Sequence, residues 1–96
     1  MVRFLSLISF TDKGIGDVSK SLQRAADFRS AVESKGGKVL SQYWALGNVD
    51  GCVMFESPDD QTAAALLLKL GKEDNVRTST MRVFDAEEFA SIVNSD

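Results

Sequence analysis

The chain has 96 residues, 44% of them hydrophobic and 26% charged, with a net charge of −3. Those values exclude a disordered chain and leave room for one domain, not two. Its core is expected to be thin, because a domain of this size buries roughly 60–70% of the surface its unfolded chain exposes. Acidic and basic residues are interspersed and no basic stripe is present, so nucleic acid is not an expected partner.

Residues 2–10 read as a first strand. Phe4, Ile8 and Phe10 share one face and Leu5 and Leu7 the other. Apolar residues on both faces suggest a sheet covered on both sides. The segment is short, meets Asp12 and Lys13, and has no cleavage site of small residues, so it reads as a strand and not a signal peptide. Residues 11–16, with two glycines, read as a loop. A helix is expected over 17–35, with Asp17 as N-cap and Val18, Leu22, Ala25, Phe28 and Val32 as its apolar stripe. Gly36-Gly37 ends it.

Residues 38–46 and 49–56 form the second and third strands, joined by a hairpin turn at Gly47-Asn48. Ser57-Pro58-Asp59-Asp60 opens the next helix, with Ser57 as N-cap and Pro58 at the first helical position. That helix carries a wide apolar arc from Ala63 to Leu70 and closes at Gly71. Residues 75–84 form a fourth strand. Asp85-Ala86-Glu87-Glu88 is a capping-box pattern that starts a last helix with Phe89 and Ile92 on its apolar face.

The order β-α-β-β-α-β plus a C-terminal helix predicts a single α+β domain over residues 1–96. Its four-stranded antiparallel sheet is ferredoxin-like, with both helices on one face. The other face then needs a cover, and a second copy of the chain is the simplest. No apolar run approaches the ~20 residues of a membrane span, so neither membrane nor nucleic acid is an expected partner. The single cysteine, Cys52, forbids an internal disulfide and fits a reducing, cytoplasmic setting.

Several segments resemble the GYD-domain family: Phe10-Thr11 with Gly14-Ile15, Gly36-Gly37-Lys38-Val39, Gly47-Asn48-Val49-Asp50, Pro58-Asp59-Asp60 with Thr62-Ala63-Ala64, and Asn75-Val76-Arg77-Thr78 leading to Phe84 and Glu88-Phe89. The resemblance covers essentially the whole chain. Gly47 and Asp50 match the signature from which the family takes its name, while Val49 stands at its tyrosine. The resemblance implies a ferredoxin-like fold similar to dimeric α+β barrels, and by itself implies no particular activity.

Histidine is absent, which removes the commonest general base and metal ligand. One cysteine does not make a zinc site, and no cofactor is expected. Asp50 reads as a carboxylate accepting turn hydrogen bonds, or as a ligand anchor. Glu56 reads as a salt-bridge partner of Arg77 or Arg82 across strands, or as a solvated edge residue. Thr78, Thr80 and Arg82 form a polar row on one side of the fourth strand, either as ordinary strand residues or lining a cleft on the open face. Tyr43 and Trp44 are adjacent, so they face opposite sides, as core or interface anchors or as pocket walls. Cys52 reads as a small buried hydrophobe. Tyr43, Trp44, Asp50, Thr78, Thr80 and Arg82 are thus the candidate ligand-binding residues. The favoured reading is a non-catalytic homo-oligomer that binds a small metabolite at the open face or subunit interface. The alternatives are a cofactor-free enzyme using Asp50, Tyr43, Thr78 and Arg82, and a purely structural subunit.

Overall fold

The computed structural model describes residues 1–95 and leaves Asp96, the last residue of the expected domain, outside the described residues. The elements run β1 (Val2–Phe10), α1 (Asp12–Gly16), a 3-10 turn (Val18–Lys20), α2 (Ser21–Ser34), β2 (Lys38–Trp44), β3 (Gly51–Ser57), α3 (Asp60–Lys72), β4 (Val76–Val83) and α4 (Ala86–Val93). The strands form one antiparallel sheet in the order β2-β3-β1-β4, the ferredoxin-like arrangement expected from the element order.

Pairing fixes the faces, because residues directly opposite in an antiparallel pair share a side. Phe4 lies opposite Phe55 and Arg82, and Ser6 opposite Val53 and Thr80. Phe55 is fully buried, stacks on Phe4 at 5.6 Å between ring centroids and meets Phe28 of α2 edge-on at 5.5 Å. That side therefore carries the helices, and its core joins Val32, Val39, Val53, Ala63 and Leu66 around Phe55. The opposite side carries Leu5, Leu7, Cys52, Met54, Tyr43 and Met81. Among the described residues the only helix that reaches it is α4, through the Arg3 ion pairs with Asp85 and Glu88, and Tyr43 is 66% and Met81 43% exposed. Cys52 is half-buried on this face.

Several expectations are corrected. The loop expected before α2 contains α1, whose N-cap is Thr11: its hydroxyl accepts from the Gly14 N–H. The long helix expected from residue 17 begins at Ser21 instead, after the 3-10 turn. A 3-10 turn advances three residues per turn, which breaks the phase of a stripe counted from Val18. Val18 lies in the 3-10 turn and is exposed; Leu22, six residues before Phe28 in α2 and so off its helix face, is exposed too, whereas Phe28 and Val32 are buried. The two-residue hairpin at Gly47-Asn48 is a wider loop, with Ala45 N–H donating to the Asp50 carbonyl.

The N-cap of α3 is Asp59, which accepts from Thr62 N–H at 2.7 Å, and not Ser57. Ser57 is instead the buried end of β3, its hydroxyl donating to the Asp59 carbonyl at 2.9 Å. The helix passes Gly71 and is followed by Asp74 in the left-handed region at φ 65°, a conformation that Asp tolerates better than most residues. The end of α2 and the start of α4 are as expected. Gly36 sits at φ 86° after α2, with Gly37 N–H bonded to the Val32 carbonyl. Asp85 and Glu88 form the capping box of α4.

Candidate functional site

The buried face of α2 is read by stepping back from Phe28 and Val32. Positions three, four and seven residues earlier share a helix face, which places Ser21, Arg24 and Ala25 over the sheet. Beneath them lie Ile8 and Phe10 of β1, Gln42 and Trp44 of β2, Gly51 and Val53 of β3, and the start of β4. Between helix and sheet is a cavity of about 70 Å³ with predominantly apolar walls. A second cavity of about 230 Å³ lies between α2 and α3. It shares Arg24, Phe28, Leu70 and Asn75 with the first and adds Asp27, Lys69 and Glu73.

Most polar groups at the first cavity are already bonded. Trp44 Nε1 donates to Ser21 Oγ at 3.1 Å, and Gln42 Nε2 donates to the Ala25 carbonyl at 3.0 Å. Asp50 Oδ2 accepts the Phe10 N–H at 2.8 Å, while Asp50 N–H donates to the Ile8 carbonyl. Its carboxylate thus fastens the β2–β3 loop to the end of β1, a contact across the sheet and not a bond within its own turn.

Arg24 differs. Its Nη2 donates to the carbonyls of Gly14 and Asp17, at 3.3 and 2.6 Å. Its Nε and Nη1 are shielded from solvent and have no hydrogen-bond partner among the described residues. A buried donor left unpaired costs roughly 1–3 kcal/mol, and more when it is charged. Arg24 was not among the residues singled out from sequence. The stripe counted from Val18 places it off the apolar face, whereas a stripe counted back from Phe28 places it four residues earlier on the buried side.

The sequence candidates divide. Tyr43, Trp44 and Asp50 border the first cavity. The side chain of Tyr43 points to the open face, opposite Cys52, and that of Trp44 toward α2. Thr78, Thr80 and Arg82 border neither cavity. Their row does not line the open face either, because β4 pairs with β1 in a register that sets Thr80 against Ser6. The Ser6 and Thr80 hydroxyls bond at 2.8 Å, which satisfies the fully buried Ser6. Arg82 donates to the carbonyls of Arg3 and Val83, with its guanidinium carbon 4.2 Å from the Phe84 ring centroid.

Glu56 pairs with Arg3 at 3.1 Å and with neither Arg77 nor Arg82, because β1 separates β3 from β4. Arg77 pairs locally with Asp74 at 2.8 Å. Arg3 also reaches Glu88 at 3.2 Å and Asp85 at 3.6 Å, and Arg82 lies 3.7 Å from Glu88. These ion pairs hold the first turn of α4, while Phe89, Ile92 and Val93 further along remain 55%, 47% and 60% exposed.

An antiparallel sheet in this order, with its helices on one side, defines a ferredoxin-like α+β domain. Within that class the chain belongs to the GYD domain family, whose model matches residues 4–93. The crystal structure of MtbAldR is similar in fold, with a TM-score of 0.69 at 10% sequence identity, covering 88% of this chain and 52% of that one. This chain therefore spans about half the length of that protein. No curated protein matches the chain in sequence. Among the described residues, no helix is long and apolar enough to cross a membrane.

Proposed function

We propose that this GYD domain is a non-catalytic, self-associating module in which two copies meet through the uncovered sheet face and α4, and that it holds a small molecule. The observation that carries the reading is apolar surface without a cover on the same chain: the Leu5, Leu7, Met54 and Met81 face, and the Phe89, Ile92 and Val93 stripe. Magnitude brings both surfaces into the interface. Four strands about 4.8 Å apart and roughly 25 Å long present on the order of 500 Å². A standard interface takes about 800 Å² from each partner. The sheet face alone falls short, and α4 supplies further apolar area beside it.

The apolar cleft beneath α2 supports small-molecule binding over a purely structural role, because concave apolar sites of this kind take small ligands. Asp50, Tyr43, Thr78 and Arg82, which a cofactor-free enzyme would have to bring together, do not converge: Tyr43 faces the open side, Asp50 is bonded to Phe10 N–H, and Thr78 and Arg82 border neither cavity; this weighs against catalysis. Cys52 as the sole cysteine supports a cytoplasmic setting.

Sedimentation velocity at micromolar concentration tests self-association. A dimer is expected, and Met81→Asp is expected to yield a monomer with an unchanged far-UV circular dichroism spectrum. A wild-type monomer at tens of micromolar overturns the reading.

A further inference from the structure

We infer that the cavity beneath α2 binds a small monocarboxylate with an apolar tail, and that Arg24 anchors the carboxylate. This deepens the small-molecule part of the proposed function and rests on it, but does not require self-association.

Three observations converge. Arg24 Nε and Nη1 are shielded from solvent and unpartnered among the described residues. No carboxylate of the described residues lies within ion-pairing distance of Arg24; the ion pairs involve Arg3, Arg77 and Arg82. Two of the three guanidinium nitrogens therefore lack an acceptor and the group lacks a counter-charge; a small turn of the side chain opens Nε and Nη1 to an anionic oxygen, which supplies both at once. Two neighbouring acids are otherwise engaged: Asp50 accepts from Phe10 N–H and Asp27 from Gln23.

The cavity walls set the rest of the ligand. Ile8, Phe10, Phe28, Val53 and Leu70 favour hydrocarbon. With a water needing about 10–15 Å³ of such space, the cavity of about 70 Å³ suits a tail of only a few carbon atoms. A phosphate or sulfate leaves these walls unused. A neutral amide satisfies the donors but not the charge. The second cavity, which shares Arg24 and carries Lys69 as well as Asp27 and Glu73 on its lining, gives the head group room on the Arg24 side.

Butyrate, butyramide and butylammonium, titrated into the ¹⁵N-labelled full chain, test the inference. Butyrate is expected to shift the Gly51, Val53 and Asn75 amides and the Trp44 indole, and to bind at least tenfold more tightly than butyramide. Butylammonium is expected not to bind. Arg24→Gln is expected to reduce butyrate to the level of butyramide while leaving butyramide unchanged. Ala25→Leu, which fills the cavity but keeps Arg24, is expected to abolish both.

Equal binding of butyrate and butyramide overturns the carboxylate assignment and leaves the small-molecule reading standing. Absence of any shift at the cavity overturns both. Butyrate shifts that persist in Ala25→Leu mark a surface ion and overturn the site. Arg24 also ties the Gly14 and Asp17 carbonyls, so if Arg24→Gln unfolds, the wild-type ratio and the Ala25→Leu titration decide.

Discussion

Gly14 is buried at the start of α1, and its requirement is space. A Cβ there would lie 1.9 Å from the Asn75 carbonyl oxygen and 2.8 Å from its carbon, both backbone atoms. Gly14→Ala must therefore push the entry to β4 away and strain the Thr11 N–H bond to Asn75 O, now 3.1 Å. Overpacking of this kind costs about 1–3 kcal/mol, read as a lower midpoint in urea denaturation; an unchanged midpoint would contradict the close approach. Asp50 holds the β2–β3 loop to β1 through its bond from Phe10 N–H. Asp50→Ala is expected to lose about 1.5–3 kcal/mol, the usual range for a hydrogen bond to a charged group, and Asp50→Asn less because an acceptor remains. Faster hydrogen exchange at the Phe10 amide in Asp50→Ala is the local check.

The helix starts carry a pH dependence. Asp59, through its bonds from Thr62, is held below its usual carboxylate range. Asp85 is likewise lowered, first by the Glu88 N–H and then, against an opposing effect of burial, by Arg3. Both folded-state values lie below the unfolded value of about 3.9. Their stabilisation is therefore complete above that pH and is lost as pH falls through the depressed folded values. Helical circular dichroism is expected to hold from neutral pH to about 4 and then to fall, and Asp85→Asn is expected to remove the part contributed by α4. A decline beginning near pH 6 in the wild type would point to other groups. In α2 the buried face runs back from Phe28 through Ala25 to Arg24 and Ser21, while Leu22, six residues from Phe28, falls off it; a stripe drawn through Val18 and Leu22 therefore passes Arg24 by.

The domain is longer than a compact chain of its size. Its radius of gyration is 14.3 Å and its extents are 50 × 30 × 18 Å, against about 12.5 Å expected for 96 residues. Ion pairs fasten α4 only at its first turn, so its apolar stripe is carried out from the body. If that stripe completes the interface, Phe89→Ser is expected to weaken dimerisation at least tenfold by sedimentation equilibrium, since burying an aromatic side chain is worth roughly 1.5–3 kcal/mol. The unfolding of the monomer should be little changed, because Phe89 packs on nothing extensive within its own chain. Equal dimerisation in the variant would place α4 outside the interface.

Element types and the ferredoxin-like order were legible from local signals. Two-sided apolar content marked β1, Gly36-Gly37 the end of α2, and Asp85 with Glu88 the start of α4. Those signals act within a few residues, so the sequence alone determined them. The family, too, was readable from short segments spread along the chain. The tertiary structure decided what depends on pairing across the sheet. It put β1 between β3 and β4, which gave Glu56 to Arg3 and turned Thr78, Thr80 and Arg82 toward the helix side. It also decided the candidate site, because an apolar cleft bordered by a half-paired Arg24 arises only when α2 is docked on the sheet. Strand register and helix phase are set by packing between residues distant in the chain, and no local pattern encodes them.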